Sequence, residues 1–150
     1  VNSVQEEVGL YGADMIADTI KPNIAIVTDV THDTTTPMIN KNKEGYQKCG
    51  DGPVVFFAPS IHHNIRELII DRAKKKKVPY QRAAASRVTG TDTDVFAHSN
   101  GGVPSALISL PLRYMHTTVE MVSKEDVKNT IQLIYETLLK ISPEMNLKYH

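Results

Sequence analysis

The chain has no tryptophan, a single cysteine and no excess of either charge. Seventeen basic side chains balance seventeen acidic ones. No long-range field is therefore available to draw in a nucleic acid, and no basic groove is expected. Cys49 alone cannot build an internal disulfide framework and suits a reducing compartment, so the cytoplasm is the expected location. No apolar run approaches the ~20 residues that a membrane-spanning helix requires. Val1 opens the sequence with neither a charged n-region nor an apolar h-region, so neither export nor a membrane partner is expected. With aromatic residues at 6%, a stacking platform for polysaccharide is hard to assemble.

What is present suits one ordinary domain. The chain has 150 residues, 41% of them apolar and 23% charged. A chain of this size buries about two thirds of its unfolded surface, enough for a real core. Strand and helix patterns alternate along it, which predicts an α/β fold of three layers, α/β/α, around a mostly parallel or mixed sheet. Val1–Gln5 reads as a short strand, and Gly9–Ile20 as a helix with Ala13, Ile16, Ala17 and Ile20 on one face. Asn23–Val30 is an apolar run of the buried-strand type. Residues 31–52 read as loop with room for an edge strand. Further strands are expected in Pro53–Pro59, weakly in Pro79–Ser86, and strongly in Val103–Pro111.

Three more helices are expected. The first, His62–Lys77, presents Ile65, Leu68, Ile69, Arg72 and Ala73. Its terminal run of four lysines reads as a solvated helix end, favourable at the negative pole of the helix dipole. A short helix within Thr91–Asn100 precedes Gly101-Gly102. The last is capped by Ser123, has Asp126 at the capping-box position and carries a seam of Val127, Ile131, Ile134, Leu138 and Ile141. The opening segment reads as the inside of a fold, as though an upstream partner were missing.

Four segments hold polar residues that a fold does not need: Gln5–Ala13, Val27–Pro37, Thr89–Asp92 and Pro111–Glu120. Three directly follow predicted strands, and sites in open α/β sheets collect at strand carboxyl ends. Glu6 and Glu7 are adjacent, so on extended backbone they point in different directions and suit two different tasks. They also suit a plain surface pair ahead of a helix N-terminus. Asp29 ends an apolar strand, where a carboxylate must be paired, hydrogen-bonded or metal-bound, unless it simply starts a turn. His116 follows the strongest strand, and a neutral imidazole is a common metal ligand. His62, His63, His98 and His150 read as helix or terminal residues, and His32 as a turn residue.

One Asp, one Glu and one His form a donor set suited to zinc, cobalt or manganese in a hydrolytic site. Two ions would hold the attacking and developing oxygens, and the second glutamate would move the proton. A glycosidase pair fits less well, because its carboxylates must face each other across a sugar.

In order and spacing, "VQEEVGLYGA", "VTDVTH", "GTD" and "RYMHTTVE" resemble the signatures of the TET-type deblocking and glutamyl aminopeptidases, a family of dinuclear metallopeptidases. The step of 22 positions from Glu7 to Asp29 is similar to the family's. The resemblance implies a zinc-exopeptidase-like fold and removal of N-terminal residues from peptide substrates. It implies Glu6 as general base, Glu7 and His116 as ligands of one metal, and Asp29 as a ligand of the other. The ions implied are zinc or cobalt, with manganese acceptable. Arg87, Thr91 and Asp92 are expected at the substrate pocket, although the family more often has two glycines before Thr-Asp. Residues 1–150 resemble only the C-terminal part of the catalytic domain. The upstream histidine, the bridging aspartate and the small inserted assembly domain have no counterpart here. The chain alone is therefore expected to be inactive, with the upstream part of the catalytic domain as its partner and homo-oligomers forming when complete. Two alternatives stay open: a glycoside hydrolase of the endoglucanase label, and a non-catalytic assembly or binding domain.

Overall fold

The computed structural model describes residues 1–148; His150 lies outside them. The elements are α1 (Tyr11–Ile20), β1 (Ala25–His32), α2 (Lys41–Glu44), β2 (Val54–Phe57), α3 (His63–Lys76), β3 (Gln81–Ala84), α4 (Asp92–His98), β4 (Ser105–Arg113), β5 (Met121–Val122) and α5 (Lys124–Leu138). The sheet is mixed, in the order β1-β4-β2-β3, with β5 paired to β4. β1 runs parallel to β4, and β2 parallel to β3, while β2 and β4 are antiparallel. Helices α1 and α4 cover one face and α3 and α5 the other, giving the expected three layers.

The main core lies on the α3/α5 face. Val55, Ala106 and Ile108 from the sheet meet Ile65, Ile69, Ile70 and Ala73 of α3 and Leu133 of α5. The α3 stripe falls where its periodicity puts it, with Arg72 also buried. Its lysine run ends in solvent, where Lys75 reaches Asp71 at 3.0 Å and Lys76 reaches Glu136 at 3.1 Å. Lys77 takes a left-handed conformation as the C-cap.

Three expectations need correction. Residues 1–5 join no strand ladder; they form an irregular segment laid over α1, with Gly12 N–H donating to Val4 O at 3.0 Å. Gly12 is required at this crossing, because a Cβ there would lie 2.3 Å from Val4 O and 2.5 Å from Val4 N. The 31–52 segment holds the end of β1 and the one-turn helix α2 rather than an edge strand.

The third correction concerns α5. Its buried residues are Asp126, Asn129, Thr130, Leu133 and Thr137, whereas Ile131 is 63% and Leu138 54% exposed. Val127 and Ile134 are half-buried along the edge of the contact, as is Ile141 beyond the helix. Asp126 turns the helix. Its carboxylate accepts from Gly50 N–H at 2.6 Å and Gly52 N–H at 2.9 Å instead of completing a capping box. The threonines can be buried because their hydroxyls donate to carbonyls of the same helix, Thr130 to Asp126 O and Thr137 to Leu133 O.

Candidate active site

The sheet leaves a cleft of about 550 Å³ on its α1/α4 face. The registers Asp29↔Ser109, Val54↔Ser109 and Phe56↔Ala83 put Asp29, Ser109, Phe56 and Ala83 on one face of the sheet. All four line the cleft, and the Glu6-Glu7 turn, His116, Met115, Lys43, Gln47 and Arg87 complete its walls. The side chains expected to converge, Glu6, Glu7, Asp29 and His116, therefore border one space.

Local backbone aims each of them. Glu6–Gly9 is a turn entered through Gln5 in a left-handed conformation (φ 60°) and closed by Gly9 and Leu10 N–H donating to Glu6 O. His116 follows β4 through a turn in which Tyr114 (φ 58°) and His116 itself (φ 63°) are both left-handed. Such non-glycine conformations persist where surrounding contacts hold them. Here the Thr117 hydroxyl donates to Tyr114 O at 2.6 Å, and His116 N–H donates to the Glu120 carboxylate at 2.6 Å. The imidazole Nε2 then lies 3.4 Å from Glu7 Oε1. Asp29 is half-buried, and its Oδ1 accepts from Val30 N–H at 2.7 Å.

The electrostatics follow from crowded carboxylates. Burial holds Glu6 above the usual glutamate range, and the neighbouring charges of Asp29, Glu7 and Asp92 add to this while His116 opposes it. Burial likewise raises Asp29; the Val30 N–H bond pulls the other way, and Asp92 and Glu7 raise it further. A cation in the cleft would relieve both.

The donor chemistry fits a divalent ion in part. Two N/O donors on one tetrahedral ion at ~2.0–2.1 Å stand about 3.3 Å apart, close to the observed Glu7–His116 separation. Among the described residues, however, no group of three His, Cys, Asp or Glu side chains is arranged to hold an ion. The set is a partial shell with Asp29 standing apart from the Glu7–His116 pair.

Of the expected substrate residues, Arg87 and Thr91 line the cleft. Thr91 caps α4, and the turn before it is held by Asp94 accepting from Thr89 and Gly90 N–H. Asp92 does not line the cleft; its carboxylate is buried behind it, accepts from the Ser3 hydroxyl and keeps Oδ1 unpartnered. Ser109, which the sequence motifs do not single out, lines the cleft fully buried with no hydrogen-bond partner for its hydroxyl. Its signal was one polar residue inside an apolar strand, on the face where Asp29 lies. Asp33, just past the end of β1, is buried and accepts from the Thr35 hydroxyl and from Cys49 N–H.

A family model described as M42 glutamyl aminopeptidase matches residues 1–133. A lysyl aminopeptidase of Pyrococcus furiosus is 38% identical over 143 residues, covering 95% of this chain and 40% of that protein. An aminopeptidase structure from Desulfurococcus kamchatkensis superposes with a TM-score of 0.83 at 33% identity, over 95% of this chain and 41% of that one. A TET aminopeptidase from a Thaumarchaeota archaeon gives 0.84 at 32% identity, over 95% and 40%. The Pyrococcus horikoshii TET1 peptidase, whose structure describes assembly into a tetrahedron or a large octahedral shell, gives 0.68 at 26% identity, over 91% and 38%. The chain thus spans about two fifths of the length of the relatives it matches.

Proposed function

Since the chain belongs to the M42 glutamyl aminopeptidase family, we propose that it carries one part of a metal-dependent aminopeptidase site, with Glu6 as general base. Glu7 and His116 would hold one divalent ion and Asp29 would contribute to a second, zinc or cobalt suiting the donors best and manganese acceptably. When bound, the ions would supply Lewis acidity toward the scissile carbonyl and acidify a water molecule. The Glu6 carboxylate would accept a proton from the attacking water and deliver it to the departing amine. Its raised proton affinity suits both halves of that transfer. Arg87 and Thr91, at the cleft wall, are in place to meet a peptide substrate. Asp92 acts from behind, through its charge on Glu6 and Asp29.

The observation that supports this reading most is the Glu7–His116 contact inside a cleft also bordered by Glu6 and Asp29. Residues 1–150 would be the C-terminal part of the catalytic domain, inactive until the upstream part joins it. Assembly into homo-oligomers is proposed from the shell-forming relative. The free Cys49 thiol fits a cytoplasmic setting. No helix among the described residues is long and apolar enough to cross a membrane.

The test is hydrolysis of aminoacyl-nitroanilides, against carboxymethylcellulose, by a complete family chain carrying these residues. Metal-dependent release of nitroaniline with no action on cellulose is expected. Cleavage of cellulose instead, or the absence of both activities in metal-loaded protein, would overturn the reading.

A further inference from the structure

We propose that Ser109 is a positioning residue for Asp29: when an ion is held in the cleft, the Ser109 hydroxyl donates a hydrogen bond to the Asp29 carboxylate and fixes its orientation as a ligand. The inference rests on the metal-dependent reading of the cleft, and it adds a residue that none of the sequence motifs contains.

The first observation is an unmet hydroxyl. Ser109 is fully buried in the middle of β4, and its Oγ has no hydrogen-bond partner. Every other residue from Ala106 to Leu112 is apolar. Removing a hydroxyl from water without giving it a partner costs the fold, and an alanine would avoid that cost. Such groups mark places where something outside the bare fold completes the bond. Here the side chain lines the cleft that Glu6, Glu7, Asp29 and His116 also border.

The second observation is what stands around it. Side chains two positions apart in a strand share a face, so its neighbours along β4 are Leu107 and Pro111. Across the ladders, Val54 of β2 stands on one side and Asp29 of β1 on the other. Of these four nearest neighbours, only Asp29 has a side chain that can accept a hydrogen bond. Directly opposite side chains on one face start from Cβ atoms ~5 Å apart. At that spacing the hydroxyl and the carboxylate come within reach of each other through side-chain rotation alone.

The third observation is the spare capacity of Asp29. It is half-buried, and its Oδ1 accepts from Val30 N–H at 2.7 Å, its one hydrogen bond among the described residues. An ionised carboxylate offers about four lone-pair sites. Asp29 can therefore accept from Val30 and from Ser109 and still present an oxygen to an ion. Carboxylates that hold metals are in turn held by hydrogen bonds, which set their orientation. Val30 supplies one such bond from the backbone, and Ser109 is placed to supply the other.

The experiment measures zinc affinity in a complete family chain carrying these residues, by competition with a chromophoric chelator and without an activity assay. Ser109→Ala should weaken the ion to which Asp29 contributes by about 10–100-fold. The ion held by Glu7 and His116 should be unaffected. Ser109→Thr keeps the hydroxyl on a side chain that strands favour, and should retain the wild-type affinity. In the Asp29→Asn background, Ser109→Ala should add no further loss, because the two side chains act as a unit. The metal-free Ser109→Ala protein should melt at the wild-type temperature, which separates lost positioning from a damaged fold.

Wild-type affinity in Ser109→Ala beside a clear loss in Asp29→Asn would overturn the proposal and leave the metal reading standing. Wild-type affinity in Asp29→Asn would remove Asp29 as a ligand, and the proposal would fall with that part of the reading. A further loss from Ser109→Ala in the Asp29→Asn background would place the action of the hydroxyl elsewhere and overturn the proposal, as would a loss in Ser109→Thr equal to that of the alanine variant.

Discussion

Asp29 and Ser109 stand side by side across the parallel β1–β4 ladder, and both line the cleft, yet the buried Ser109 hydroxyl has no hydrogen-bond partner. A buried hydroxyl without a partner contributes no bond to stability. Ser109→Ala should therefore change the free energy of unfolding of the chain by less than about 1 kcal/mol in a urea titration. A loss above about 2 kcal/mol would mean that the hydroxyl is bonded in solution.

Base and ligand separate by metal content. In a complete family chain, Glu6→Gln keeps the shape of the carboxylate but cannot accept a proton. It should retain bound metal and lose about 10²–10⁴ in rate. Glu7→Gln and His116→Ala should lose metal, and excess zinc or cobalt should restore part of their activity. Rescue of Glu6→Gln by metal would show the two roles exchanged.

Asp33 gives the fold a pH dependence. Burial pushes its carboxyl up, but the Thr35 hydroxyl and the amides of Cys49 and Thr35 outweigh this and leave it below the usual aspartate range. Below its unfolded pKa of about 3.9 the unfolded chain therefore binds the proton more readily than the folded one. The stabilisation is fully present above that value and is lost as pH falls through the lower, folded value. The stability gap between wild type and Asp33→Asn should be constant from pH 5 to 7 and shrink toward pH 3. A gap that widens in acid would reverse the assignment.

The α5 contact is tested by a pair of truncations. Leu133 is fully buried and packed in the core, so Leu133→Ala should cost about 2–5 kcal/mol. Exposed Ile131→Ala should stay within about 0.5 kcal/mol. Equal losses in chemical denaturation would mean that the helix is seated on its other face.

Much of this was legible in the sequence because it rests on local chemistry. The stripe Ile65, Ile69 and Ala73, the Ser123 cap and the apolar β4 run are each decided within a few residues. The grouping of Glu6, Glu7, Asp29 and His116 was expected from positions after strand-like segments, but residues 1–5 form no strand and Asp29 lies within β1; the cleft borders all four nonetheless. The α5 face was not legible. Its rotation is set by Gly50 and Gly52, more than seventy positions from Asp126 in the chain, and no periodicity within the helix records that. Nor could the fate of residues 1–5 be read, since a strand pattern becomes a strand only beside a ladder.

The crossing at Gly12 has a thermal consequence. The segment carrying Glu6 and Glu7 belongs to no sheet; one hydrogen bond from Gly12 N–H to Val4 O, one from the Ser3 hydroxyl to Asp92 and the exposed Glu7–His116 contact tie it to the rest of the fold. So few ties give it a local opening free energy well below that of the core. On warming, these glutamates would lift away while α3, α5 and the sheet still hold. Loss of function and loss of fold would then have two different temperatures, and strengthening the core would raise only the second.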